Sequence, residues 1–412
     1  MEHKIVDHLF RHHYGKMVAI LTRFFGLSYI ETIEDAVQDT FIKASSQWRN
    51  KIPDNPEAWL NRVAKNRTID ILRSIQAEKN RNLTISTGAS SLQIDELFLD
   101  HEVADSQLRM IFVACHPNLH PNEQIAFALK TISGFSTKEI ASALLTKEDT
   151  IVKRLTRAKK SIGENNIQFK YPNPEAVHDR MIQVMEVIYL TFNEGFHSTN
   201  QDRLIKEDLC GEAIRLCQLL LKKEQFRSGS LYALFALLCF HTARLESKIS
   251  TDNQIVNLKD QNRTKWYFSL IKMGNSAMQK AVEYEDTSVY HYEAAIASEH
   301  LNAKTFEETN WKKISYWYEQ LYAFEPNSFT LLNHATVCIQ LSDFEKTLRL
   351  LNSIDVSDLG QRAYLYYGCY AEYYVQIGEK ELAISFLDKA LMKTTNRLER
   401  EFMIRKREGL LG

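Results

Sequence analysis

Apolar side chains recur along these 412 residues at spacings of three and four, the rhythm of amphipathic helices rather than of strands. Over 1–80 the pattern predicts three helices. The first carries His8, Leu9, His12, His13, Met17, Ile20 and Leu21 at helical spacing. The second turns Ile33, Ala36, Val37, Thr40, Phe41 and Ala44 inward. The third starts at Asn55 and Pro56, where Asn suits the N-cap and Pro the first helical position. It is expected to run to about Arg73 with Leu60, Val63, Ala64 and Ile71 inward. The aperiodic polar run NRNLTISTGASS and the acidic DELFLDHEVAD after it read as a partly ordered linker over 81–105. A compact helical unit is expected over 106–170. Tyr171, Pro172, Asn173 and Pro174 then mark a domain boundary, because each proline discourages a continuous helix. Residues 171–412 read as helical throughout, so the fold class is all-α.

Inside that last part the helices repeat with a period near 34–36. Ala383, Leu387 and Ala390 correspond to Thr347, Leu351 and Ile354, thirty-six residues earlier. Ahead of each set lies a matching first helix: Tyr367, Tyr370, Ala371 and Tyr374, then Leu331, His334, Ala335 and Cys338. A further second-helix pattern, Ile314, Tyr318 and Leu321, closes at Pro326. From about residue 305 these helix pairs resemble tetratricopeptide repeats. Stacked pairs form an α-solenoid whose concave face takes up peptides or protein segments, or is filled by the chain itself.

Composition narrows the classes. Gly 14 and Pro 7 make up about 5% of the chain against about 12% in ordinary usage. That shortage of turn formers argues against sandwiches, barrels and low-complexity chains. Lys+Arg 51 and Asp+Glu 52 nearly balance, yet residues 1–170 carry 23 basic and 20 acidic side chains and 171–412 carry 28 and 32. Neither half has the excess of a protein that coats nucleic acid on its own. The most apolar run, 231–240, stops at His241, short of the roughly 18 residues a membrane span needs. The start MEHKIVDHLF lacks a signal-peptide core. Six cysteines without a CxxC read as reduced thiols, with Cys210 and Cys217 packed on one helix face. These features predict a cytoplasmic protein with no membrane partner.

Candidate chemistry lies on three helical faces. Opposite the core stripe of the second helix sit Asp35, Gln38, Asp39 and Ile42, an exposed apolar centre in an acidic rim that suits docking on a basic protein helix. The third helix gathers Arg62, Lys65, Asn66 and Arg73 outside, with Trp59 at the edge and Trp48, Arg49 and Asn50 in the loop before it. Cations hold phosphates, an amide pairs with base edges and an indole stacks on an unstacked base. A solvated basic face with Trp59 half in the core fits the same residues. Further on, a helix over 121–132, a turn at Gly134 and Phe135, the Ser136-capped STKEIASALL and DTIVKRLTRAKKSI form a helix-turn-helix pattern. Ile151, Leu155, Ala158 and Ile162 face inward and leave Thr150, Lys153, Arg154, Arg157 and Lys160 outside.

The segments EDAVQDTFIKA, NPEAWLNRVAKNRTIDILR and STKEIASALLTKEDTIVKRLTRAKKSI resemble regions 2 and 4 of bacterial extracytoplasmic-function sigma factors, the initiation subunits of RNA polymerase. NEGF at 193–196 and DLCGEAIRL at 208–216 are similar to the subgroup with a long C-terminal helical-repeat extension. The resemblance implies that Asp35, Gln38, Asp39 and Ile42 dock on the clamp of core RNA polymerase. It implies that Arg62, Lys65, Asn66 and Arg73, with the loop containing Trp48 and Asn55 and with Trp59, hold the −10 strand of promoter DNA. Thr150, Lys153, Arg154, Arg157 and Lys160 then read the −35 box, and the acidic stretch 95–105 threads the polymerase interior. Extensions of this kind can stand in for a separate anti-sigma protein, so 171–412 is expected to govern activity through the other units or a protein partner. The expected function is promoter selection without catalysis, cofactor or metal. Two readings compete with it. One is a helix-turn-helix regulator with a repeat scaffold that never joins polymerase. The other is an enzyme in the C-terminal half using His197, Cys210 or His241, although neither these nor His8 and His12 have metal or nucleophile–base spacing.

Overall fold

Helices α1 (Glu2–Phe25), α2 (Ile30–Gln47) and α3 (Pro56–Lys79) form where the apolar periodicity places them. The computed structural model describes residues 2–49, 51–79, 99–144, 146–196, 207–250, 254–394 and 396–411. Met17, Ile20 and Leu21 are buried, and so is the whole predicted stripe of α2. Asn55 caps α3 as expected, its Oδ1 accepting from the Ala58 amide at 3.0 Å, and the helix runs past Arg73 to Lys79. Helices α4 (Asp100–Ala114), α5 (Pro121–Thr131), α6 (Thr137–Ala143) and α7 (Glu148–Glu164) follow. Helix α4 starts inside the stretch read as a linker, and 81–98 of that stretch lies outside the described residues. Asp105 explains why its end is ordered. Its carboxylate accepts from Tyr171 Oη at 2.6 Å and Arg109 Nε at 2.7 Å, while Arg23 of α1 pairs with it and with Glu102.

Helices α8 (Pro174–Phe196) and α9 (Glu207–Leu221) come next, and the chain divides into two compact units. The first comprises 1–195 and 208–226, the second 196–207 and 227–412. Compactness therefore does not break at 171–174, where the prolines pointed. Pro174 starts a helix after the non-helical stretch 165–173, without ending the packing. Tyr171 bonds Asp105, Arg180 of α8 donates to the Phe112 carbonyl at 2.5 Å, and Phe226 lies against the rings of Phe112 and Tyr171 at 4.9 and 5.7 Å. The motifs NEGF and DLCGEAIRL meet here. A Cβ on Gly195 would lie 2.9 Å from the Cys210 backbone nitrogen, so only glycine lets α8 and α9 cross this closely.

In the first unit α1 packs on α2, α3, α4 and α5, while α5 and α6 pack on α7. The approach of α1 to α5 is at backbone range, since a Cβ on Gly15 would sit 1.9 Å from the Ile132 carbonyl oxygen.

The second unit is a run of helices each packed on its neighbours: α10 (Gly229–Ala243), α11 (Phe268–Ala281), α12 (Val289–Asn302), α13 (Trp311–Phe324), α14 (Ser328–Gln340), α15 (Phe344–Asn352), α16 (Ala363–Gln376), α17 (Lys380–Lys393) and α18 (Arg397–Leu411). The apolar run 231–240 lies in α10 and is buried on every side, which accounts for its lack of a polar face. Asp286 holds the N-terminus of α10 by accepting from the amides of Gly229 and Ser230, both at 2.8 Å. The repeat positions Thr347, Leu351, Ile354, Ala383, Leu387 and Ala390 are all buried. No helix among the described residues is long and apolar enough to cross a membrane. All six cysteines are free and buried.

Two outcomes test this packing. Gly15→Ala should lower stability by about 3 kcal/mol in urea denaturation, because the methyl meets a carbonyl that cannot swing away. Gly163→Ala, where nothing lies within 4 Å of the new methyl, should instead raise it by up to about 1 kcal/mol. The second outcome concerns pH. Burial raises the Asp105 pKa, but Tyr171 and Arg109 outweigh it and hold the carboxyl below its ordinary 3.8. Its contribution is thus present above that value and lost as pH falls through the depressed pKa. The stability advantage of the parent over Asp105→Asn should persist at neutral pH and shrink as a denaturation series descends below about pH 4.

Candidate nucleic-acid interface

Helix α2 buries one stripe and presents the opposite one as expected. Asp35 and Asp39 are exposed, Gln38 is half-buried, and Ile42 is 69% exposed, the largest exposure of any apolar side chain on this helix. Asp39 is not idle, because its Oδ2 accepts from Arg67 Nε at 3.0 Å and NH2 at 2.9 Å. That pair is open to solvent and adds little to stability. It fixes the acidic rim against α3.

The basic face of α3 is smaller than expected. Arg62, Asn66 and Arg73 are exposed, and Asn55 is exposed at the N-cap. Lys65 is not on this face. It is 8% exposed and shares a stripe with buried Thr68 and Leu72, because α3 packs against both α1 and α2 and so hides two sides. Trp48 is corrected too. Rather than standing in an open loop it closes the C-terminus of α2 at 3% exposure, its ring meeting that of half-buried Trp59 edge-on at 5.3 Å. The pair anchors the start of α3. An indole held this way has no free face for a base, and Trp59 keeps only an edge. Asn50 lies outside the described residues.

The helix-turn-helix is built from local rules. Gly134 takes a φ of +67°, a conformation open to glycine, beneath the Tyr14 ring. Ser136 then caps α6 reciprocally: Glu139 Oε2 accepts from the Ser136 amide at 2.8 Å, and Ser136 Oγ accepts from the Glu139 amide at 3.2 Å. A hydrogen bond between Thr137 and Glu148 ties α6 to the start of α7. On α7 the stripe Ile151, Leu155, Ala158 and Ile162 is buried. Lys153, Arg157 and Lys160 are exposed, whereas Thr150 and Arg154 are half-buried. Lys160 pairs loosely with Glu164 at 3.6 Å. Lys153 and Arg157 make no ion pair among the described residues.

Sequence reasoning missed the group that joins these faces. Glu34, on α2, is buried, and Lys159 of α7 reaches it at 2.8 Å and Glu31 at 3.5 Å. Burial pulls the Lys159 pKa down, but the two carboxylates outweigh this and hold it above its ordinary value. Near the same carboxylate, burial lowers the pKa of Lys130 and raises that of Tyr14. The signal in the sequence was a glutamate set directly beside the core residue Ile33, on the inward side of the helix.

Three residues carried the catalytic alternative. His197 lies outside the described residues. Cys210 is buried with its Sγ 3.9 Å from the Phe192 carbonyl oxygen, and His241 packs against the Phe196 ring at 5.0 Å. No group of three or more His, Cys, Asp or Glu able to hold a metal occurs among the described residues.

Comparison with known proteins places these faces in a family. The Sigma-70 region 2 family matches residues 9–78 and the Sigma-70, region 4 family matches 109–162. A family of unknown function (DUF6596) matches 180–282. The uncharacterized protein R00370 of Rhizobium meliloti is 32% identical over 382 residues, covering 91% of this chain and 89% of the relative. The ECF RNA polymerase sigma factor SigE of Mycolicibacterium smegmatis is 26% identical over 158 residues, 38% of this chain and 60% of the relative. The ECF RNA polymerase sigma-E factor of Haemophilus influenzae is 28% identical over 165 residues, 37% and 82%. No solved structure matches. With region 2 on α1–α3, region 4 on α4–α7 and a relative matched over 91% of this chain, the chain belongs to the family of the Rhizobium protein and is a sigma-70 transcription-initiation factor of the ECF type.

Proposed function

We propose that this chain binds core RNA polymerase through the acid-rimmed Ile42 face of α2 and directs it to promoters whose −35 box is read by α7 and whose −10 strand is held by α3. The observation that carries the reading is the division of α7 into a buried apolar stripe and an open face bearing Lys153 and Arg157, behind a well-capped helix-turn-helix. Asp35, Gln38, Asp39 and Ile42 supply the polymerase contact; Arg62, Asn66, Arg73 and Asn55 hold the −10 strand. Thr150, Lys153, Arg154, Arg157 and Lys160 face the −35 box.

The Glu34–Lys159 contact adds a step. Two boxes about 25 base pairs apart lie roughly 85 Å from one another at 3.4 Å per pair. Modules joined through α2 and α7 cannot engage both, so region 4 leaves region 2 when the promoter complex forms. Residues 171–412 act as a fused regulatory part with tetratricopeptide-like helix pairs from about 305, replacing a separate inhibitor or receiving a protein partner. The reaction needs no catalytic residue and no cofactor, since binding energy opens the strands.

Reversing the rim charge tests the polymerase contact. Asp35→Lys with Ile42→Asp should abolish co-purification with core polymerase while leaving the thermal melt within a few degrees of the parent, because both side chains are exposed. Retention of full polymerase binding would favour the regulator that never joins the enzyme. Replacing Lys153 and Arg157 with Ala should lower transcription from genomic start sites that depend on the chain by tenfold or more. It should also flatten the salt dependence of promoter binding by about one unit of log–log slope per cation removed.

A further inference from the structure

Among the described residues of α4–α7, Val152 is the one large apolar side chain left exposed, at 48%. It sits in the N-terminal half of α7, the half that a helix-turn-helix lays against base edges. A stray valine elsewhere on a surface needs no explanation. Here its neighbours on the helix give it one. Thr156, one turn on and also exposed, donates from Oγ1 to the Val152 carbonyl at 2.9 Å. With the hydroxyl turned back on the helix, the group that Thr156 has left to present is its methyl. Steps of 100° put the two side chains about 40° apart around the axis and roughly 6 Å apart along it. Both lie about 90° or more from the centre of the buried stripe of Ile151, Leu155, Ala158 and Ile162. They form a short apolar strip on the outside of the helix.

Cations flank this strip. Each of its members is followed by an exposed one, Lys153 and Arg157, and Lys138 of α6 and the N-cap residue Lys147 of α7 are exposed as well. Such groups hold phosphates, which places a helix on the duplex without specifying sequence. Glu148 and Asp149 are also exposed in the first turn of α7, and their charge opposes phosphate there. That end of the helix therefore favours base edges over backbone. The hydrogen bond from Thr137 to Glu148 holds it against α6.

In the major groove a base pair offers one apolar group, the C5 methyl of thymine, and otherwise donors and acceptors. Valine set against a donor or acceptor leaves that group desolvated and unpaired, whereas valine against the methyl removes apolar surface from water on both sides. Base pairs rise about 3.4 Å each, so apolar groups roughly 6 Å apart reach methyls one or two pairs apart.

We infer that Val152, extended by the methyl of Thr156, is a specificity-determining residue that recognises thymine in the −35 box through its C5 methyl. The inference rests on the assignment of α7 to that box and adds to it the base that the helix selects. The cations bind, and the apolar strip chooses.

Deoxyuridine, which differs from thymidine in the base by that methyl alone, provides the test. Promoter fragments mapped with core polymerase and the full chain are made with deoxyuridine at one −35 thymine at a time, on either strand, and compete for the polymerase complex. At one or two positions the loss of the methyl should weaken binding by about threefold or more. Val152→Ser, an exposed change that should leave the thermal melt within a few degrees of the parent, should bind the thymine fragment less tightly and bring the ratio at one such position close to one. Arg157→Ala should weaken both fragments alike and keep the ratio. Equal binding of thymine and deoxyuridine fragments by the parent overturns the inference while the assignment of α7 stands. So does a −35 box without an A·T pair, or full discrimination by Val152→Ser. If no start site depends on the chain, the assignment itself fails and this inference falls with it.

Discussion

The first unit is organised around one buried carboxylate. Glu34 lies on the inner side of α2 at 3% exposure, where a lone negative charge is untenable, and Lys159 answers it from α7 at 2.8 Å. Removing one member of such a pair costs about 3–5 kcal/mol, because the other is left charged and desolvated. The pair also sets how α7 is turned. With Lys159 directed inward, steps of 100° put Lys153, Lys160 and Arg157 between about 100° and 160° away, on the open side. This ion pair adds to the packing of α1 on α4 and α5 that joins the two modules, and it leaves on the open side the cations proposed to meet DNA. On the proposed reading, the same contact opposes spanning two promoter boxes, so the unit as folded would have to be pulled apart at the promoter.

Much of this fold could be read from residue types alone. The stripes of α2 and α7 came out whole because each helix is buried on one side only, so a single apolar face explains every core position. The N-cap at Asn55 and the Ser136 cap followed from their side-chain chemistry. Legibility failed where packing is two-sided. Lys65 looked like an outward cation because the stripe through Thr68 and Leu72 becomes a buried face only once α1 and α2 are both in place. Trp48 belonged to a loop in the sequence and to the core in space, since its partner Trp59 lies beyond that loop. The proline cluster at 171–174 signalled a helix break correctly. It said nothing about the Tyr171–Asp105 hydrogen bond that carries the unit across it.

Glu34 escaped for a different reason. A charged residue carries no periodic signature of its own, and its burial is decided by neighbours far along the chain. Glu34 finds its counter-charge 125 positions on, at Lys159.

The accounting of cations explains why a factor of this composition needs its polymerase. Residues 1–170 exceed neutrality by three charges, a small margin for a DNA-binding half. Structure reduces the supply further, because Arg23, Arg67, Arg109 and Lys159 are engaged by Glu102, Asp39, Asp105 and Glu34. What remains open on α7 is chiefly Lys153, Arg157 and Lys160. If each neutralises one phosphate, counterion release from about three contacts gives a log–log salt slope near −3, far below that of a protein that grips duplex unaided. Reading by α7, as proposed, would therefore act as a bias on a complex held together by the larger partner. On the proposed assignment, the α2 face rather than α7 then decides whether the chain is at a promoter at all.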